Sequence, residues 1–333
     1  MPGASPGDND MTNGLPFDDI RNLIAGLPAM DQTAASRVQA DLAADGHELG
    51  QVRDVAQWFA AATGRAPARV SRPMVALFAA THAVSGKRGM ADPIGEAQSR
   101  VEAIAAGAAP VSQLCADYNL GLNVFDLALE LPVADFSAGP ALEERAAAAT
   151  MAFGMEAIAA GPDLICLGTV NAAGELSASA LLCAVLNQDI SEWAEFGADD
   201  LSLVNQALEL HQDHLRDPLE ALRRLGGRET AALAGAIIAA RAQKIAVILD
   251  GPIATAAAAV LYAMNQNALE HCLLAAAQTG GHRKAAALIG LKPVLNVEGL
   301  SSGGVAGALA AGVVRGASEI SARRAEVNAR LRA

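Results

Sequence analysis

The chain has 333 residues, of which 52% are hydrophobic and 3% aromatic, and a net charge of −12. This composition describes a folded protein with an Ala/Leu-packed core, large enough for two domains or one large α/β unit. The negative balance speaks against a nucleic-acid binder, which needs clustered Lys and Arg, and no polybasic membrane segment or transmembrane-length apolar run occurs.

Residues 1–14, MPGASPGDNDMTNG, are polar, acidic and rich in Gly and Pro, and read as a disordered tail without a signal peptide. Residues 17–62 carry helical patterns only: FDDIRNLIAGLP, AASRVQADLAAD and VRDVAQWFAAATG. Short apolar runs then alternate with longer helical ones. The strand candidates are PMVALFAA (73–80), GLNVFDLAL (121–129), DLICLG (163–168), IAVILD (245–250) and KPVLNV (292–297). Each is too continuous for a sheet with one wet face. Helices are expected over 141–161, closed by Gly161-Pro162, and over 226–243 and 253–266. This rhythm predicts an α/β fold, a doubly wound, mostly parallel, Rossmann-like sheet spanning residues 66–304. The helical stretch 305–333 has Glu319/Arg323 and Glu326/Arg330 at i,i+4 spacing. With residues 15–65 it is expected to form a small helical domain from both termini.

Ligands of open α/β sheets sit beyond the carboxyl ends of the strands. That selects the loops Thr81–Gly89, Gly168–Glu175, Gly251–Pro252 and Glu298–Gly304. His82 there is either a substrate contact and proton donor or a hydrogen-bonded structural residue. Asp250, at a strand end, is either a ligand contact or the cap of the next helix. Ser302, Gly303 and Gly304 open a helix and offer backbone N–H groups to an anion, or only allow a tight turn. Gly280–Lys284, GGHRK, is a basic turn that either holds a phosphate or starts a helix. His211 and His214 lack a third ligand, and Cys115, Cys166, Cys183 and Cys272 sit apart in apolar runs, so no metal site is expected. Free thiols suit a reducing cytoplasm. Neither a Walker motif nor GxGxxG occurs.

Five segments carry a family resemblance: GLPFDDIRNLIAGLP, YNLGLNVFDLALELP, ATMAFGMEAIAAGPDLICLG, LRDPLEALRRLGGRETAALAGAIIAAR and ILDGPIATAAAAVL. Over about residues 15–315 the chain resembles nicotinate-nucleotide:5,6-dimethylbenzimidazole phosphoribosyltransferase, which activates the lower base of cobalamin. The resemblance implies a parallel-sheet domain, a small helical domain, a homodimer and no cofactor. It also implies transfer of phosphoribose from nicotinate mononucleotide to a benzimidazole nitrogen, with a Glu accepting the ring proton.

The departures fall on the loops. Where the family reads Gly-Glu-Met-Gly-Ile-Gly-Asn-Thr-Thr, this chain has Gly168-Thr-Val-Asn-Ala-Ala-Gly-Glu-Leu176, so Thr169 replaces a Glu, and Asn171 and Ala173 replace glycines. Ser-Ala-Glu-Pro-Gly-His becomes Ala277-Gln-Thr-Gly-Gly-His282, keeping Gly281 and His282. A family Lys aligns near Asp200. The Glu of Leu-Gly-Glu-Gly-Thr-Gly falls on Ser302 or Gly303. These losses imply impaired transfer in a ligand-binding or non-catalytic subunit, either a homodimer or a heterodimer with an active paralogue. Its ligand would be a nucleotide or a benzimidazole-type base. The alternative is an active transferase of altered base specificity, with Glu298 or Glu175 as general base and His282 touching phosphate.

Overall fold

A computed structural model describes residues 15–43, 46–192, 196–297, 299–300 and 303–332. The tail 1–14, Glu298 and Ser302 lie outside the described residues. Four helices come first: α1 (Asp18–Ala25), α2 (Gln32–Asp41), α3 (Gly46–Leu49) and α4 (Gln51–Thr63). Strand β1 (Pro73–Thr81) is followed by α5 (Pro93–Ala105), α6 (Pro110–Asp117) and β2 (Gly121–Asp126). Then come α7 (Glu144–Met155) and β3 (Leu164–Ala172). Four helices, α8 (Gly174–Leu186), α9 (Ala198–His211), α10 (Pro218–Leu225) and α11 (Arg228–Ala242), precede β4 (Ala246–Leu249). The chain closes with α12 (Pro252–Met264), β5 (Cys272–Ala276), α13 (Gly280–Leu288), β6 (Pro293–Leu295) and α14 (Val305–Arg332).

The six strands form one parallel sheet in the order β2-β1-β3-β4-β5-β6. Successive side chains of a strand point to opposite faces. Met74, Ala76 and Phe78 of β1 accordingly join the core beneath α1 and α7–α13. Val75, Leu77 and Ala79 join the core beneath α2, α4, α5, α6 and α14. Covering both faces explains the unbroken burial of β1, β3 and β4. The edge strands β2 and β6, also expected to be fully buried, stay partly exposed because each has a neighbour on one side only.

The first half of α14 packs on β3–β6, and the helix also packs against α2 and α4. The apolar residues of α2, α4 and α14 run on into the sheet core without a break. Helix α1 lies apart from them, with Phe17, Ile20 and Ile24 in the opposite core. Glu319 pairs with Arg323 at 3.5 Å, whereas Glu326 reaches Arg69 at 2.8 Å.

Three strand expectations change. β3 runs four residues past Gly168, to Ala172, so Thr169–Asn171 belong to the strand and not to a loop. β5 (CLLAA) was not anticipated: it is short and Ala-rich, and does not stand out from its helical neighbours. β2 stops at Asp126, before Ala128 takes a left-handed φ of 60°.

Candidate functional site

From β1 the chain crosses to β2 on one side, while from β3 it proceeds to β4 on the other. The crevice beyond the carboxyl ends of β1 and β3 is therefore the topological switch point, where α/β sheets hold ligands. A cavity of about 470 Å³ opens beside the end of β3, a size within the roughly 300–1,000 Å³ of small-molecule sites. Thr169 and Asn171 of β3 and Glu175 of α8 supply its polar wall, and Ile104, Val111, Val170 and Val305 its apolar one. Gly303 completes it from the loop before α14.

Asn171 organises the polar wall. Its Oδ1 accepts from Gly174 N at 3.0 Å, capping the start of α8. Its Nδ2 donates to Thr169 Oγ1 at 3.2 Å and to Glu175 Oε1 at 3.3 Å. The β3–α8 turn needs a left-handed residue, and Ala173 fills it at φ 65°, a conformation that costs a non-glycine residue roughly 1–2 kcal/mol. Glycine stands there in the resemblance. Thr169, where the resemblance has a Glu, and Gly303, one of the two positions on which its second Glu can fall, both line this cavity.

Beneath the turn lies a pair that sequence reasoning half missed. His82 is turned inward, and its Nε2 is 2.6 Å from Glu229 Oε1, with both side chains buried. Burial raises the Glu229 pKa, but the charge and hydrogen bond of His82, with Arg228 nearby, outweigh it and leave the pKa below the usual value. A Cβ built on Gly174 would stand 2.7 Å from Glu229 Oε1 and 3.1 Å from Asn171 Oδ1. The pair thus supports the floor of the site. The one hint of Glu229 in the sequence is its place in the first turn of a helix after Gly226-Gly227, where a carboxylate is favoured. Arg228 next to it holds the loop after β2 through the carbonyls of Leu127 and Ala128, at 2.7 and 3.2 Å.

Asp250 is buried and caps a helix, but not the next one. Its Oδ2 accepts from Gly307 N of α14 at 3.0 Å. Burial lifts its pKa to about 7, against the opposing hydrogen bonds from Gly307 and Gly304. α12 begins instead at Gly251 with no side-chain cap. Gly304 takes the left-handed φ of 89° that turns the chain into α14. A Cβ there would meet Val111, Leu77 and Val75, so this glycine fixes the close approach of the helix to the sheet.

His282, expected to touch phosphate, is buried with both nitrogens engaged. Nδ1 accepts from Gln278 N at 3.1 Å and Nε2 lies 2.8 Å from Thr255 Oγ1. Burial lowers its pKa to about 4, so the ring is neutral. The GGHRK turn opens α13, with Thr279 capping His282 N. Gly281 is buried in that first turn, and Gly168 sits within β3 opposite Leu77. The chain thus brings Glu175 and Gly303 to one cavity with His82 below it, while Gly304 packs α14 against the sheet. Asp250 holds the wall from behind, while Gly168, Gly281 and His282 are built into the framework. Asp200 forms a two-pronged pair with Arg88, at 2.9 Å for both contacts, so its charge is matched from the turn after β1. His211 is buried and bound to Phe136 O at 2.9 Å. No group of three metal-ligating side chains occurs among the described residues. Nor is any helix among them long and apolar enough to cross a membrane.

A phosphoribosyltransferase family model matches residues 27–329. The nicotinate-nucleotide–dimethylbenzimidazole phosphoribosyltransferase of Brucella anthropi is 45% identical over 318 residues, 92% of this chain and 94% of its own length. That of Rhizobium rhizogenes is 46% identical over the same shares. The crystal structure of the nicotinate-nucleotide–dimethylbenzimidazole phosphoribosyltransferase from Thermus thermophilus superposes with a TM-score of 0.77 at 26% identity, covering 88% of this chain and 96% of that one. An identity near 45% across almost the whole length, with a matching fold, leaves one assignment: the chain belongs to the nicotinate-nucleotide–dimethylbenzimidazole phosphoribosyltransferase family.

Proposed function

We propose that this chain binds a benzimidazole-type base at the cavity beside β3 and Glu175, and that its capacity to transfer phosphoribose is impaired. The observation that carries the reading is the cavity wall itself. The proton-accepting Glu of the resemblance falls on Ser302 or Gly303, and Gly303 lines the cavity with no side chain to take a proton. Thr169, in place of a second Glu, lines it too. Asp200, near the position of a family Lys, is bound to Arg88 and offers no cation to a phosphate. Loss of a general base typically lowers a rate about 10²- to 10⁴-fold. An open cavity on a well-packed scaffold supports retained binding. The chain then serves as a non-catalytic subunit, paired with itself or with an active relative, and its buried free cysteines suit a reducing cytoplasm.

The test is an assay of the purified chain with nicotinate mononucleotide and dimethylbenzimidazole. Saturable binding of the base is expected, with turnover at least a hundredfold below the roughly 10 s⁻¹ typical of enzymes. Turnover in that ordinary range overturns the impairment. The second reading, an active transferase of altered base specificity, draws on Glu175, whose carboxylate does face the cavity. In it the base nitrogen forms a bond to C1′ as the bond from C1′ to the nicotinate nitrogen breaks. Nicotinate leaves with the electron pair, and Glu175 takes the proton from the base. Ordinary turnover that disappears in Glu175→Gln would favour that reading.

A further inference from the structure

We infer that a second cavity, at the β6 edge of the sheet, binds a small amphipathic anion: a flat aromatic ring carrying one carboxylate. This site is separate from the cavity beside β3 and does not depend on the function proposed for it.

β6 has a neighbouring strand on one side only. Between it and α4 lies a cavity of about 660 Å³, larger than the one beside β3. Val52 and Val55 of α4, Leu273 of β5, Val294 of β6 and Val313 of α14 supply its apolar wall. A hollow of about 360 Å³ adjoins it, and the two share Trp58, Leu273 and Lys292. None of these residues lines the cavity beside β3. Trp58 favours a ring as the body of the ligand. Its Nε1 donates to Glu270 O at 3.1 Å, which fixes the indole where the two hollows meet. Stacking on such a ring strengthens binding about 2- to 10-fold beyond the area it covers.

The charges select the head group. Two carboxylates line the hollows, Asp54 and Glu270. Asp54 lies 3.7 Å from Arg53, and Glu270 lies 2.6 Å from Arg241, so each already has a cation. Lys292 lines both hollows, is exposed, and has no ion-pair or hydrogen-bond partner among the described residues. A lysine ammonium is a compact point charge, suited to a single carboxylate. The start of α4 lines the same cavity through Gln51 and Val52 and carries no side-chain cap. Its helix dipole adds to the preference for negative charge.

Calorimetric titration of the full chain with 2-naphthoate and with the uncharged 2-naphthalenemethanol tests this. The naphthoate is expected to bind about 2- to 5-fold more tightly, the span of an ion pair at an exposed lysine. Lys292→Met, a change on the surface that leaves the fold intact, should erase that preference without moving the affinity of the alcohol. Trp58→Leu should weaken both compounds about 2- to 10-fold and keep their ratio. Excess dimethylbenzimidazole should leave naphthoate binding unchanged, because the two cavities share no lining residue. Equal binding of the two naphthalenes, or a preference that survives in Lys292→Met, overturns the inference. Displacement by dimethylbenzimidazole also overturns it, by placing the naphthoate beside β3. No binding of naphthoate overturns it outright. A dimer of the native chain that Trp58→Leu dissociates in sedimentation velocity would then show that a second copy occupies the groove.

Discussion

The Asp250 carboxylate and the Gly307 amide, 3.0 Å apart, tie the end of β4 to the first turn of α14. The bond holds in place the helix whose start closes the candidate cavity, and burial gives the carboxyl a pKa of about 7 against an ordinary 3.8. A pKa raised in the folded state favours folding fully only below the unfolded value. That advantage is lost as pH climbs from about 4 through about 7. At about 1.4 kcal/mol per pKa unit, the full swing is at most about 4 kcal/mol. Asp250→Asn keeps an oxygen for Gly307 and has no charge to bury. It should flatten the stability–pH curve between pH 4 and 7 and raise stability at pH 8. Urea unfolding at pH 5 and pH 8 reads both effects, and an unchanged slope in the variant would refute the assignment.

His82 and Glu229 form a buried pair whose members depend on each other. Removing one partner strands the other, at a cost of about 3–5 kcal/mol. His82→Leu and Glu229→Leu should each lower the unfolding free energy in urea by that amount. The double variant should lose less than the sum of the two, because no unpaired charge remains. Additive losses would mean that the two side chains are not coupled.

The strands at the centre of the sheet were legible because burial on both faces demands unbroken apolar runs, as in Met74–Ala80 and Ile245–Leu249. The end of β3 was not. Polar Thr169 and Asn171 line a cavity, and although Val170 between them joins the core, the apolar run stops four residues before the strand does. β5 was lost for another reason, since Ala-rich segments suit strand and helix alike. At the site, residue types could be nominated from their place after a strand. Their partners could not. Asp250 with Gly307, His82 with Glu229 and Arg88 with Asp200 are each joined across more than fifty residues, and local spacing carries no trace of such pairs.

Helices α7 and α11 touch through glycine. A Cβ on Gly235 would collide with the Met151 carbonyl, and one on Gly154 with that of Ala232. Neither backbone oxygen can move without shifting its helix. Gly235→Ala should therefore cost at least about 3 kcal/mol, at the upper end of overpacking effects. Gly316→Ala, in the interior of α14 with nothing within 4 Å, should gain up to about 1 kcal/mol from helix propensity. Urea titration of the two variants gives opposite signs if the close helix contact is the cause.

Gly303 offers the most direct test of impaired transfer. It lines the cavity and is one of the two positions, with Ser302, on which the proton acceptor of the resemblance falls. If the missing acceptor limits transfer, Gly303→Glu should raise turnover of nicotinate mononucleotide with dimethylbenzimidazole. The full benefit of a general base is about 10²- to 10⁴-fold. The expected gain is smaller, about 10- to 100-fold, because Thr169 and Asp200 also depart from the family pattern. The new carboxylate would also share the cavity with Glu175, and like charges raise one pKa of such a pair. Adding Glu175→Gln to Gly303→Glu should therefore move the limb of the pH–rate profile governed by the new Glu to lower pH. If Gly303→Glu still binds the base but gains no turnover, the proton acceptor is not what limits this chain, and the loss of phosphate-binding charge becomes the leading cause.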